Sequence, residues 1–138
     1  MQKHRQVLIT LVFFSFLVNT AYAAKDSFQV VFLLGNQIFR SAQEMVTHGG
    51  DGHTDEIVLY GKKVLKRSKT LLKAIESADP ARFKKKKVKI VTALKATIQH
   101  AEQAVALGRE NKHTVALDAA IKSQFHAKKM RQNLQSIR

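Results

Sequence analysis

The chain has 138 residues, enough for one domain, and carries 24 Lys and Arg residues against 10 Asp and Glu residues. It contains no cysteine, which excludes disulfides, a lipobox, thiolate metal sites and the attachment of c-type haem. One proline, six glycines and no tryptophan, with few alternating apolar and polar runs, predict an all-α fold.

The first 23 residues have the pattern of a secretory signal peptide. A basic start at residues 3–5 precedes an almost unbroken apolar run over residues 7–18, and residues 21–23 form a small-x-small cleavage site. The run is too short for a spanning helix, and the alternative is an uncleaved N-terminal anchor. We therefore expect a periplasmic protein whose mature residues 24–138 hold 22 basic and 10 acidic residues, a net charge of +12. Export makes nucleic acid an unexpected partner despite this charge.

The remaining chain has four segments in which apolar residues recur every three or four positions, the spacing of a helix buried on one face. The predicted helices cover residues 27–47, 54–78, 85–107 and 113–136. Their expected core residues include Val31, Gly35, Ile38, Ala42 and Met45 in the first helix, Ile57, Gly61, Val64, Ser68, Leu71 and Ile75 in the second, Val88, Val91, Leu94, Ile98, Ala101 and Val105 in the third, and Ala116, Leu117, Ala120, Ile121, Ala127, Met130 and Leu134 in the fourth.

Short connections between these helices predict an antiparallel up-down-up-down four-helix bundle made of two helical hairpins. Shallow packing angles are expected because the apolar seams are heptad-like. Asp79 and Pro80 end the second helix, since proline disfavours helical geometry in the residue before it. In this topology the first and third connections lie at one end of the bundle, and the second connection lies at the other.

The first connection carries histidines around a glycine-rich turn, with His48 before it and His53 after it. Gly49 and Gly50 can adopt the positive φ values that end a helix, and Gly52 permits a sharp turn. A second His-Thr pair, at residues 113–114, restarts the fourth helix 60 residues after the first pair. The pattern predicts a helical hairpin made twice, with a histidine corner in each copy.

The predicted topology brings His48, His53 and His113 to one end of the bundle. Neutral imidazoles suit Cu(II), Ni(II) or Zn(II), with no finer choice among them. His100 and His126 lie further along the third and fourth helices, where they share a second, weaker site or act independently. Each histidine alone is also explained as a helix cap or as the partner of a helix dipole. The acidic side chains expected to complete the corner site are Asp51, Asp55, Glu56 and Glu110.

Nothing in the sequence indicates catalysis. It has no Ser-His-Asp spacing, phosphate-binding loop or paired carboxylates. Met45 and Met130 fall at different levels of the expected bundle, which argues against haem held by a Met/His pair. We therefore expect a monomeric binding protein that is not an enzyme and carries no haem.

Two segments resemble a known family: HGGDGHTD at residues 48–55 and HAEQAVALG at residues 100–108. They are similar to the small metal-binding protein family of periplasmic, histidine-rich four-helix bundles. The resemblance implies binding of several divalent metals, copper most typically, for buffering or scavenging. It also implies a metal-ligand set in this chain, with the last member matching only approximately: His48, His53, His100, His113 and His126.

The chain departs from the family pattern at four positions. Tyr60 and Arg67 stand where the family favours histidine after the first corner. Ser41 stands where the first hairpin would repeat His100, and Leu107 stands where the second would repeat His48. The resemblance therefore implies a divergent, histidine-poor and basic member of the family, in which the fold is expected to be retained better than the metal capacity.

The alternative function rests on charge and needs no metal. The lysine-rich face of the second helix and a basic segment after it would dock on anionic lipid, polysaccharide or an acidic partner protein. The same lysines are more simply explained as solvated surface. The basic segment consists of Arg82, Lys84, Lys85, Lys86 and Lys87.

Overall fold

A computed structural model describes residues 28–137. Residues 31–137 belong to one compact unit, and the described residues 28–30 precede it in the chain. The predicted signal peptide lies outside the described residues. In the part of the chain that is described, no helix is long and apolar enough to cross a membrane.

Four long helices and no strand make up residues 28–137. Helix α1 comprises the helical residues 28–50, α2 is Thr54–Ser77, α3 is Lys87–Arg109 and α4 is His113–Gln135. A 3-10 helix, Pro80–Phe83, lies between α2 and α3. The all-α prediction is confirmed, and α3 packs along both α2 and α4, as in a helical bundle.

The connection between α1 and α2 turns at one glycine only. Gly52 has a φ of 92°, in the left-handed region, and is the sole described glycine with a positive φ. Gly49 instead lies in the last turn of α1 and is buried. A Cβ at this position would lie 2.8 Å from Ile57 Cγ1 of α2, so the close approach of two helices explains this glycine.

The start of α2 is stabilised by charge, with no side-chain cap. His53 occupies the N-cap position and makes no capping hydrogen bond, whereas Asp55 and Glu56 lie in the first turn. Carboxylates there interact favourably with the positive end of the helix dipole.

The two hairpins repeat in the structure with an offset of 59 residues. The turn residues with positive φ are Gly52 and Asn111, and the N-cap residues that follow are His53 and Lys112. His113 is therefore equivalent to Thr54, so the His-Thr echo in the sequence is displaced by one residue from the structural repeat. Six buried residues of α2 have buried equivalents in α4, in the order Ile57 and Ala116, Gly61 and Ala120, Val64 and Ser123, Ser68 and Ala127, Leu71 and Met130, Ile75 and Leu134.

The buried faces of α3 and α4 agree with the predicted ones only in part. Leu94, Ala101 and Val105 in α3 and five of the seven expected residues in α4 are buried, whereas Val88 is 75% exposed and Ile121 is 47% exposed. The residues buried in their place are mostly small, which lets neighbouring helices approach closely but weakens the apolar pattern in the sequence. They are Ile90, Ala93, Thr97 and Ala104 in α3, with Ala119 and Ser123 in α4.

The packing of α2 against α3 predicts that Gly61→Ala destabilises the protein by about 1–2 kcal/mol. A Cβ at Gly61 would lie 2.5 Å from Val105 Cγ2 and 3.4 Å from Met45 Sδ. Val105 is buried and β-branched, so its methyl group cannot move aside without a change of rotamer. Overpacking of about 1–3 kcal/mol outweighs the gain of up to about 1 kcal/mol in helix propensity. Urea unfolding followed by circular dichroism measures the difference.

Gly50→Ala is the matched control, because a Cβ at this helical position would meet no atom within 4 Å. Its expected effect is neutral or slightly stabilising. Equal effects of the two substitutions would contradict the close α2–α3 contact.

Candidate functional site

His48 belongs to the last turns of α1, and its ring lies against α2 with a carboxylate near each ring nitrogen. Its Nδ1 is 2.6 Å from Glu56 Oε2, and its Nε2 is 3.4 Å from Glu44 Oε2. The ring also stacks on Tyr60, with centroids 5.3 Å apart and an interplanar angle of 3°. Sequence reasoning did not anticipate this stacking, although Tyr60 follows Glu56 by one helical turn.

The two carboxylates do not form a chelating site with His48, since they approach opposite ring nitrogens. Glu56 Oε2 is buried and accepts no well-directed hydrogen bond, despite its short distance to Nδ1. The contact is therefore an ion pair when the imidazole is protonated, and it links the end of α1 to the first turn of α2.

His113 and His53 have different contacts from those of His48. Nε2 of His113 lies 2.6 Å from the carbonyl oxygen of Gly49, and this nitrogen carries the proton because a carbonyl can only accept. His53 is exposed at the N-cap of α2. Each predicted corner histidine thus has its own environment in the structure.

The acidic residues predicted for the corner are also dispersed. Asp51 and Asp55 are exposed, and Glu110 pairs with Lys112 at 2.7 Å. Across residues 28–137, no group of three or more His, Asp and Glu side chains is placed to hold a metal ion. Cysteine is absent from the whole chain.

A second pair of histidines does meet, between α3 and α4. The rings of His100 and His126 have centroids 5.4 Å apart and an interplanar angle of 10°. Nδ1 of His100 lies 3.1 Å from Gln103 Oε1, so Nδ1 donates and Nε2 keeps its lone pair. Phe125 meets the other ring of the pair edge-on, with centroids 5.3 Å apart. The sequence left open whether His100 and His126 act together. The hydrogen bond between His100 and Gln103 could have been expected from their i, i+3 spacing on one helix.

Burial of the ring, followed by charge repulsion from His100 and Lys129, lowers the pKa of His126 below its ordinary value of 6.5. The imidazole is thus favoured in its neutral form, which is the form that binds metals.

This shift predicts that the protein loses stability in acid. Because the pKa is lower in the folded state, the unfolded chain binds more protons near and below pH 6.5, so the free energy of unfolding falls as the pH drops. We expect His126→Gln to reduce the difference in unfolding free energy between pH 7 and pH 5. Urea unfolding at the two pH values measures it, and His53→Gln, at an exposed position, is the control that should leave it unchanged. An unchanged difference in His126→Gln would contradict the role of this ring.

The basic segment is held in a defined conformation between α2 and α3. Phe83, which lies between Arg82 and Lys84, is fully buried, and Lys84 and Lys85 have φ values of 43° and 64°. Lys86 Nζ reaches Ser136 Oγ at 2.6 Å. No acidic residue lies in the first turn of α3, and its N-cap makes no side-chain hydrogen bond. The dipole of α3 therefore adds to the positive charge of the lysines.

Comparisons with family models, curated proteins and solved structures found no match to this chain.

Proposed function

We propose that the protein is an exported, monomeric binder of divalent transition metals that buffers or scavenges them without catalysis. The observation that carries the proposal is the pair His100 and His126, two imidazoles brought together from different helices. Copper is the first candidate because nitrogen sites bind Cu(II) more tightly than Ni(II) or Zn(II). Export and the periplasmic location rest on the signal-peptide pattern of the sequence.

The spacing of the two rings fits a shared ion, although one ring would have to turn, because a metal lies in the plane of each imidazole that binds it and these planes are stacked at 10°. Two imidazoles bound to one metal at about 2.0–2.1 Å and a tetrahedral angle would have centroids roughly 5 to 5.5 Å apart, and these centroids are 5.4 Å apart. Gln103 orients the His100 ring in the way that outer partners orient metal-bound histidines. Water would complete the coordination.

We assign the corner histidines to a weaker site. His48 is engaged by Glu44 and Glu56 at its two ring nitrogens, so metal binding to it competes with contacts that already stabilise the hairpin ends. His113 keeps a lone pair on Nδ1 while its Nε2 donates to the Gly49 carbonyl, but among the described residues no histidines or carboxylates join it in a group of three.

The antiparallel arrangement of the helices is part of the proposal. Contacts between α1 and α2 support it, because Gly49 lies against Ile57 while Ser41, earlier in α1, bonds to Arg67, later in α2. The same inverse order relates α3 to α4 in two pairs, His100 with His126 and Lys86 with Ser136.

Isothermal titration with Cu(II) at neutral pH tests the metal proposal. We expect the tightest site to be lost in the double variant His100→Ala, His126→Ala. The triple variant His48→Ala, His53→Ala, His113→Ala is the matched control and should retain it. Retention of the tightest site in the double variant would overturn the assignment, and no heat of binding above that of a protein without histidine would overturn metal binding itself.

The second candidate function is docking on anionic lipid through the basic segment. It is favoured by lysines held at a helix start that has no side-chain cap and no acidic residue in its first turn. Flotation with anionic vesicles at low and high salt tests it, since a surface attraction is screened as ionic strength rises. Binding that is absent, or insensitive to salt, would leave these lysines as solvated surface.

A further inference from the structure

A cleft of about 400 Å³ lies between α1 and α2, away from the histidine pair. Three of its lining side chains are cationic, namely Arg40, Lys63 and Arg67, and only Glu44 is acidic. Such a balance in a concave surface favours an anionic ligand.

Arg67 is the fixed element of this cleft. It is half-buried, and its Nη1 donates to the hydroxyl of Ser41 and to the carbonyl oxygen of Gln37. Both acceptors are neutral, so they orient the guanidinium without compensating its charge. A guanidinium held in this way presents its remaining N–H groups as a preformed fork for an oxyanion.

The other charges of the cleft leave it positive. Among residues 28–137, no carboxylate lies within ion-pair distance of Arg40, Lys63 or Arg67. Glu44 directs its Oε2 toward His48. Tyr60 supplies an aromatic wall, with the Lys63 ammonium 4.5 Å from its ring centroid.

The hairpin repeat gives this cleft a counterpart. With the offset of 59 residues, Ser41 and Arg67 occupy the positions of His100 and His126, and their side chains likewise meet. A permanent guanidinium charge stands where the second hairpin has an imidazole pair. The guanidinium repels a metal cation at this position and attracts an anion.

A neighbouring cleft extends the positive field. Arg40 also lines a cavity of about 630 Å³ between α1 and α4, together with Arg131. The guanidinium of Arg131 lies 3.9 Å from the ring centroid of Phe39, and its buried Nε has no hydrogen-bond partner. Arg40 and Glu44 therefore line both clefts, which also include Arg67 in the first and Arg131 in the second.

We propose that the cleft between α1 and α2 binds the phosphate group of a small phosphorylated molecule. Two guanidinium groups and one ammonium match the charge and the bidentate geometry of a phosphate. The cleft is larger than a phosphate alone, which leaves room for the remainder of the ligand. The proposal does not depend on metal binding.

Titration of the full chain with inorganic phosphate and with glycerol 3-phosphate, followed by NMR of the arginine side chains at physiological salt, tests the proposal. We expect Arg40→Gln and Arg67→Gln each to weaken binding by about tenfold or more, as for the loss of a charge-assisted hydrogen bond. Lys66→Gln, on the same helix but outside the cleft, is the matched control and should change it less than about threefold. Circular dichroism shows whether each variant is folded. Because Arg40 is exposed, Arg40→Gln should leave the fold intact, so it tests the site even if Arg67→Gln perturbs α2.

Vesicles containing phosphatidic acid form a second arm. Binding to the soluble phosphates, lost in Arg40→Gln but not in Lys66→Gln, supports the proposal. Binding to vesicles only overturns a small-molecule ligand and identifies a lipid headgroup as the source of the phosphate. An equal effect of all three substitutions, or no binding to any probe, overturns the site.

Discussion

Replacing Phe83 by alanine is expected to lower the free energy of unfolding by about 3–5 kcal/mol, the range for removing a buried aromatic ring. Phe83 is 0% exposed and ends the 3-10 helix that joins α2 to α3. The turn before it is held by polar contacts, in which the Asp79 side chain accepts from the Ala81 N–H at 2.9 Å and the Asp79 carbonyl oxygen accepts from the Arg82 N–H at 3.1 Å. The ring is therefore the principal apolar anchor of the connection.

Phe83→Ala should destabilise the connection between α2 and α3 locally, in addition to lowering the global free energy of unfolding. The lysines of the basic segment follow directly, with Lys84 and Lys85 in left-handed conformations that packing must maintain. We expect faster amide exchange across this connection in Phe83→Ala than in the parent under native conditions. Urea unfolding gives the global value, and hydrogen exchange read by mass spectrometry locates the change.

Leu59→Ala provides the control for this experiment. Leu59 is apolar but 49% exposed, so its truncation should change stability by no more than about 0.5 kcal/mol. A cost below about 1 kcal/mol for Phe83→Ala would mean that the ring does not anchor the connection.

Addition of Cu(II) at a hundred times its dissociation constant is expected to stabilise the protein by about 2.7 kcal/mol, the mass-action term for binding to the folded state alone. For a domain of this size the increment corresponds to a rise of roughly 10 °C in Tm. Thermal melts followed by circular dichroism, with chelator and with added Cu(II), measure it. The metal-free protein should already be helical and melt cooperatively, because its core of Ile38, Ile57 and Leu94, among others, is fully buried without an ion.

The double variant His100→Ala, His126→Ala should lose this increment and keep its metal-free melting curve within a few degrees of the parent. Both side chains are only partly buried, so their truncation leaves the core intact. A metal-free protein without helical signal would show that the metal, rather than the apolar core, organises the fold.

The sequence predicted the helices well because helix periodicity is a local property. In α2 the expected core residues are the buried ones, from Ile57 through Ile75, and in α1 Val31, Ile38, Ala42 and Met45 are likewise buried. The prediction was weaker in α3 and α4. There the buried positions include Thr97, whose hydroxyl donates to the Ala93 carbonyl of its own helix, and Ser123, whose hydroxyl donates across the interface to the Thr97 carbonyl. Polarity alone cannot distinguish such residues from exposed ones.

The arrangement of the histidines needed the tertiary structure. Adjacent helical residues point about 100° apart, so the one-residue difference between the sequence echo and the structural repeat turns His113 toward Gly49 and leaves His53 exposed as a cap. The sequence by itself determined which segments are helical and which of them carry histidines. Only the packing of α3 against α4 decided that His100 meets His126. Only the packing of α1 against α2 decided that Arg67 donates to Ser41. Both pairs depend on the rotation and register of the helices, which no local sequence pattern specifies.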